Sequence, residues 1–545
     1  MRITVPFVLS VVLVTGFIAG CKSAQSTHEV TPALREILAG NPPASIEPSV
    51  WTDLRAFYTQ RAEEPAWVNR RRPTEHAADA INALNTARQH GFSPDDYGTG
   101  DLLALSQAVE SIDKKSPERL TRVAEFDVRM SAALLAFGRD VAVGRTTPKL
   151  ADGSWKVRRT APEYVATFAH ATDDPLAWIE SLRPPHAEYA ALQKALDDLH
   201  GQQEKGGWTS VPPGVMKIGS SGAGVIALRQ RLAASGQVKS TGDGAKDAST
   251  RVDTWSTRFD RELEAAVKSF QELHGMTATG VVDAATTTAL NVTLDERMRQ
   301  VALNLQRWRW MPDELGARHF IVNVPSFTLA ARENNKTVMD IRVVVGKPGH
   351  NTPIFSEDME TVVLSPYWNI PDSIAEGETA PAMARDPNYL AKQNIEVLRV
   401  SGGKTEMVNP KDVDWDDKGG DALKSLVFRQ RPGASNALGH VKFLFPNSYN
   451  VYLHDTPADA LFAKPGRAFS HGCVRVEEPE KLAKYVLRDR PEWDETKLFA
   501  AMKSGDEQYV KLKAKIPVHI VYFTSWVDEK GGLHFQPDIY GYDRQ

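Results

Sequence analysis

Ser470-His471-Gly472-Cys473-Val474-Arg475, with Tyr452-Leu453-His454-Asp455 upstream of it, is the stretch from which the rest of the chain is read. His454 lies nineteen residues before Cys473, so a thiol and two imidazoles recur within one short segment. A thiol is mostly protonated near neutral pH, and it becomes a nucleophile when an imidazole takes its proton or a positive charge favours the thiolate. His454 and His471 are both candidate bases by type. Gly472 leaves room for a carbonyl to approach, and the backbone N–H of Cys473, joined by that of Gly472, is suited to an oxyanion. Arg475 adds positive charge that favours thiolate and suits a carboxylate. Two plainer readings compete. A cysteine is often a small buried hydrophobe, and His454, His471 and Cys473 together offer zinc ligands, although without CxxC or HxxxH spacing or a clear fourth ligand.

His454, fifteen intervening residues and then Ser-His-Gly-Cys-Val-Arg resemble the signature of the L,D-transpeptidases, the cysteine enzymes that cross-link peptidoglycan. The resemblance implies Cys473 as nucleophile and His454 as general base. It implies that Ser470, His471 and Gly472 shape the active-site turn, that Arg475 fills the basic position after the cysteine, and that Tyr452 faces the donor substrate. The runs VVVGKPGHNTPIF, LSPYWNIPDSI, RQRPGASNALGHVKFLFPN and RAFSHGCVRVEEPEKLA resemble the large, multidomain branch of that family. The implied reaction uses no metal and no organic cofactor, and the family's reactivity implies acylation of Cys473 by carbapenems. The implied partners are peptidoglycan stem peptides, with other cell-wall synthesis enzymes as candidates.

At 545 residues the chain is too long for one core, and its net charge of −4 gives no reason to expect nucleic acid. Arg2 followed by the apolar run Ile3–Ala19 reads as a secretory signal over residues 1–20. Its end, Ile18-Ala19-Gly20-Cys21, resembles a bacterial lipobox, which implies lipidation of Cys21 and a membrane-anchored periplasmic lipoprotein. The alternative is an uncleaved membrane anchor; both put the remainder outside the cytoplasmic membrane. Cys21 and Cys473 are the chain's two cysteines. If Cys21 carries lipid, Cys473 has no disulfide partner in an oxidising compartment, which favours a chemical role for it.

The predicted architecture is a multidomain α+β chain. Residues 21–50, rich in Ser, Thr, Pro and Glu, read as a tether. Residues 51–200 read as a helical scaffold: Trp51, Leu54, Phe57 and Tyr58 form an apolar stripe, and Leu120, Val123, Met130, Leu134 and Phe137 mark a long core helix. Residues 214–292 resemble the small helical peptidoglycan-binding domain, through Gly219, Gly222, Phe259, Phe270, Gln271, Gly275, Gly280 and Leu290. Its glycines do not have GxGxxG spacing, which excludes a nucleotide loop. Residues 318–545 read as a mostly β catalytic domain, with Asn334-Asn335-Lys336 as a hairpin turn and His454 at a strand end. A polar stretch over about 371–424 interrupts the strands and reads as a lid. A last hairpin, Val518–Trp526 with Leu533–Phe535, is expected to complete the sheet.

Overall fold

The computed structural model describes residues 29–146, 159–238, 256–401, 404–413, 415 and 425–544. Cys21 and the signal stretch lie outside the described residues, as does most of the insertion over 239–255. Among the described residues no helix is long and apolar enough to cross a membrane. The chain divides into two units, the first made of residues 1–144 and 161–183 and the second of residues 145–160 and 184–545.

The first unit is helical and forms around the 27-residue helix Pro117–Val143. Proline opens this helix and also Pro48–Gln60 and Pro175–Leu182, where its fixed φ suits the first turn and its missing N–H costs nothing. Trp51, Leu54, Phe57 and Tyr58 are buried in this unit's core. The tether expected over 21–50 is not what its described part forms. Thr31–Ala39 is a helix with Leu34 and Leu38 buried. Val30, Leu34 and Leu38 recur every four residues, which stacks them on one helical face, and that spacing outweighs the polar composition around it. Asp127, fully buried on the long helix, accepts hydrogen bonds from the backbone of Ala66 and Trp67 and from the Tyr58 hydroxyl. It thereby stitches two chain segments to the central helix.

In the second unit, helices Ala223–Ala234, Arg261–Leu273 and Ala284–Leu290 surround a small core that contains Leu228, Leu263, Phe270 and Leu290. Gln271 is buried within it and spans a turn, accepting from Gly280 N–H and donating to the Val281 carbonyl, 2.9 Å each. The helix Ala187–Glu204, placed by sequence at the end of the scaffold, buries Tyr189, Leu192, Leu196 and Leu199 in the core of this second unit. That core also holds Val301, Leu305 and Trp308 from the helix Leu294–Trp308.

The strands of this unit, in chain order, are β1 (Arg318–Asn323), β2 (Thr328–Glu333), β3 (Lys336–Gly346), β4 (Phe355–Leu364), β5 (Trp368–Ile370), β6 (Ile395–Ser401), β7 (Lys404–Met407), β8 (Leu426–Gln430), β9 (Val441–Leu444), β10 (Leu453–His454), β11 (Ala468–Ser470), β12 (Val474–Val476), β13 (Gln508–Val521), β14 (Ser525–Val527) and β15 (Leu533–Phe535). The main sheet has the order β11-β3-β12-β10-β9-β4-β13-β1-β2, and β2 pairs again with β3, closing a ring of strands. Asn334 and Asn335 both adopt positive φ between β2 and β3, the backbone that a two-residue hairpin requires. The expected last strand is divided. Its first part, within β13, joins β1 and β4, whereas Ser525–Val527 pairs with β15 in a separate two-stranded sheet. The break falls where side-chain amides replace the ladder: Asn323 bonds both N–H and C=O of Phe523, and Asn304 Oδ1 accepts from Thr524 N–H at 3.0 Å.

The stretch expected as a lid has a fold of its own. Strands β5-β8-β6-β7 form an antiparallel sheet, and Ile370, Met383, Leu390, Val397 and Phe428 form its core. β5 and β8 flank the insertion and pair with each other, Phe428 opposite Ile370, so the neck is closed by strand pairing.

Replacing Asp127 by Ala would leave two buried amides and a buried hydroxyl without this acceptor, and the expected loss is about 2–4 kcal/mol. Urea unfolding of the first unit measures it. A loss below about 0.5 kcal/mol would show that these segments do not depend on the carboxylate.

Candidate active site

Cys473 and His454 stand on neighbouring chain segments because β10 and β12 pair in parallel, Leu453 opposite Val474 and His454 opposite Arg475. The Val474 N–H donates to the Tyr452 carbonyl at 3.1 Å, which continues the pairing back to the cysteine. Side chains two apart on a strand share a face. Tyr452 and His454 on one segment, and Cys473 and Arg475 on the next, therefore occupy one face in two rows. On the other side of β10, Lys442 of β9 lies opposite His454. The second row thus reads Lys442, His454, Arg475.

Burial, joined by the charge in that row, decides the protonation of His454. The residue is only 4% exposed. Burial first, then the neighbouring Arg475 and Lys442, hold its pKa down to about 3, against the partial opposition of the Asp455 carbonyl. Nδ1 lies 2.6 Å from that carbonyl, which fixes the tautomer with the proton on Nδ1 and the lone pair on Nε2. Orientation comes from the Asp455 backbone. Its carboxylate is engaged elsewhere, accepting from His440 N–H at 2.7 Å and Thr456 N–H at 2.6 Å.

The half-buried Cys473 has a different set of partners from those its type suggested. Burial pushes the thiol up, while the Tyr452 backbone N–H, the Arg475 charge and the Tyr452 hydroxyl pull it down. The same contact, together with burial, raises the Tyr452 phenol. Sγ also lies 3.8 Å from the Asn450 carbonyl, a long bond that a thiol makes and a thiolate does not. The sequence led to the expectation of thiolate held by an imidazole. Instead the site carries a neutral imidazole and a thiol, with the tyrosine on the sulfur. Arg475 is held below its ordinary value by burial, and its Nε is buried with no hydrogen-bond partner among the described residues.

Ser470 is buried and locks the turn: Oγ donates to the Cys473 carbonyl at 2.5 Å and accepts from the Gly472 N–H at 3.1 Å. That second bond engages the Gly472 N–H, which was expected to serve an oxyanion, inside the turn. Gly472 has φ +119°, a conformation that L side chains rarely adopt, so its glycine is required by backbone. The Thr352 hydroxyl donates to the Gly472 carbonyl at 2.8 Å and accepts from Gly346 N–H at 2.9 Å. Tyr540 in turn donates to the Gly346 carbonyl at 2.6 Å and accepts from Thr352 N–H at 3.1 Å. This clamp was not foreseen, because Tyr540 reaches the turn from the far end of the chain.

His471 meets a different set of partners from the sulfur row. Its Nε2 lies 2.9 Å from Glu378 Oε1 in the insertion between β5 and β8 and 3.5 Å from Lys347 Nζ, and its ring meets His350 edge-on at 4.9 Å. Burial, Lys347 and His350 lower its pKa, and Glu378 opposes them. His454, His471 and Cys473 are thus not gathered around one point, and among the described residues no group of His, Cys, Asp and Glu forms a metal-binding cluster. Lys347 and His350 were legible only as a turn, although two basic residues within Gly346-Lys347-Pro348-Gly349-His350 were the available signal.

Family models match three regions of the chain: a "Scaffold domain" over residues 52–196, a "Putative peptidoglycan binding domain" over 221–290 and an "L,D-transpeptidase catalytic domain" over 317–512. A Haemophilus influenzae protein described as "Putative L,D-transpeptidase" is 35% identical over 248 residues, which are 45% of this chain and 48% of that protein. The chain thus spans about half the length of this curated relative. Among solved structures, an L,D-transpeptidase from Xylanimonas cellulosilytica is 15% identical, with 57% of this chain and 98% of that one covered at a TM-score of 0.16. Another, from Stackebrandtia nassauensis, is 14% identical, with 58% and 96% covered at a TM-score of 0.20. Residues 317–512, which contain Tyr452, His454 and the Cys473 turn, thus match an L,D-transpeptidase catalytic domain, in a chain that also matches a scaffold domain and a peptidoglycan-binding domain.

Proposed function

We propose that the protein forms 3→3 cross-links in peptidoglycan through a thioester on Cys473, and that it works in the periplasm, anchored through lipid on Cys21. The observation that carries the chemistry is the shared face: a neutral, oriented imidazole and a thiol on paired segments, with a phenol and a guanidinium beside the sulfur.

Cys473 Sγ attacks the carbonyl of the third residue in a tetrapeptide stem while His454 Nε2 takes the thiol proton. The tetrahedral intermediate collapses with cleavage of the C–N bond to the terminal D-alanine. The imidazolium returns its proton to the departing amine, leaving a thioester. An amine on a second stem then attacks the thioester carbonyl, the C–S bond breaks, and the amine's proton passes through His454 to the sulfur. One D-alanine leaves and one amide forms. Arg475 and the Tyr452 hydroxyl favour negative charge on sulfur, so they act in the transition state of attack more than at rest.

Incubation with purified disaccharide-tetrapeptides, followed by mass spectrometry, tests this reading. Dimers that have lost one D-alanine are expected from the protein, and none from Cys473→Ala. His454→Ala is expected to lower the rate by about 10²–10⁴-fold. Tripeptide monomers alone would make water the acceptor and the protein a carboxypeptidase. Unchanged substrate in both samples would favour a wall-binding protein without catalysis. A covalent carbapenem adduct on Cys473 is the corresponding covalent readout.

The neutral pair gives a pH signature. The thiol is raised above its ordinary value of 9.0, and His454 does not protonate until about pH 3. Alkylation of Cys473 by iodoacetamide should therefore climb steadily with pH to a midpoint above 9.0, with no step near the ordinary histidine value of 6.5. Arg475→Met removes a charge that stabilises thiolate, so its midpoint should lie higher still. Fast, pH-independent alkylation between about pH 4 and 8 would be the mark of a thiolate–imidazolium pair and would sink the neutral-pair description.

A further inference from the structure

We infer that Lys347, His350 and His471 form a carboxylate-binding subsite beside Cys473, and that Glu378 of the insertion occupies this subsite in the unliganded protein. The inference rests on the acyl-transfer reading above and adds to it the place where an anionic group of the substrate is held.

Three basic side chains from two segments converge there. Lys347 and His350 belong to the turn after β3, and His471 belongs to the motif. Lys347 Nζ is 3.5 Å from His471 Nε2, and the His350 ring stands edge-on to His471 at 4.9 Å. The group that meets them is a carboxylate from a third segment. Glu378 lies on the π-helical turn Ala375–Thr379, and its Oε1 is 2.9 Å from His471 Nε2. At this separation the imidazole N–H donates to the carboxylate, and the longer Lys347 contact supplies charge.

The two sides of the contact differ in how they are held. The basic side is fixed by the Thr352 and Tyr540 bonds to Gly346 and Gly472. The acidic side arrives on an insertion with its own core. The Glu378 side chain is 56% exposed and that of His471 29%, so water competes for the contact. A ligand carboxylate matches Glu378 in charge and geometry and displaces it without leaving a group unpaired. His471 precedes Cys473 by two residues, so their Cα atoms are at most about 7 Å apart. A peptide whose free carboxylate lies close to the scissile carbonyl fits that span.

The test compares alkylation of Cys473 by iodoacetate, which carries a carboxylate, with alkylation by neutral iodoacetamide. It uses the full chain, and peptide mass spectrometry separates Cys473 from Cys21. Glu378→Gln empties the subsite of its internal anion and is expected to raise the iodoacetate rate about three- to fivefold while leaving the iodoacetamide rate within about twofold. Lys347→Met is expected to lower the iodoacetate rate relative to iodoacetamide. If Glu378→Gln speeds both reagents equally, Glu378 merely screens the thiol and the subsite is refuted. If neither rate changes, the contact is a surface ion pair with no ligand role. Because alkylation needs no turnover, a protein that shows the iodoacetate preference but makes no cross-links would overturn the proposed function and leave the subsite standing.

Discussion

One stretch of backbone pairing, that of β10 with β12 in parallel, determines the rest of the site. It is short, and the distance along the chain from His454 to Cys473 is spanned by a loop that must return to the same edge. Parallel neighbours need such a crossover, so the loop is a consequence of the pairing. With the pairing in register, four side chains share a face without further adjustment. A slip of one residue would turn Cys473 and Arg475 to the opposite face and leave Tyr452 and His454 without them. The clamp from Thr352 and Tyr540 holds the turn at Gly472 and Gly346, and so fixes where β12 begins.

Electrostatics then follow from register. Burial disfavours an imidazolium at His454, and the two cations opposite it add to the effect, so the imidazole is kept neutral. The cost appears in acid. With a folded-state pKa of about 3 against the ordinary 6.5, His454 contributes stability above pH 6.5 that is lost as the pH falls toward 3, because the unfolded chain takes up the proton first. The same Arg475 that keeps His454 neutral favours thiolate on Cys473. In the proposed reaction one guanidinium would thus keep the base available and ease ionisation of the nucleophile, two effects that assist proton transfer from sulfur to nitrogen.

What could be read from sequence was chemistry concentrated in a short segment. Cys473 and His454 stood out by type and spacing, Tyr452 and Ser470 through the family resemblance, and the helical stripes of the first unit because their period is local. The groups that escaped notice depend on long-range contacts. Tyr540 reaches Gly346 across 194 positions, and no local pattern marks that. Asp455 adjoins His454 in the sequence, but choosing its carbonyl over its carboxylate as the group that orients the ring requires knowing that the His440 and Thr456 amides claim the latter. The helix at Thr31–Ala39 was hidden by composition, and the separate hairpin at Ser525 by apolar residues that run through the break at Phe523.

The insertion meets the motif through a weak contact. Its sheet and core give it independent order, and the β5–β8 pairing fixes its neck, so the insertion keeps its shape whether or not Glu378 touches His471. An exposed ion pair contributes only about 0–1 kcal/mol. A contact of that size favours one position of the insertion over another by less than about fivefold, and a single competing interaction reverses it. A buried pair in the same place would hold the insertion far more firmly and would leave an uncompensated charge whenever it opened. Surface exposure at Glu378 and burial at His454 therefore have opposite consequences: the buried imidazole keeps one protonation state, whereas the exposed carboxylate holds its partner only weakly.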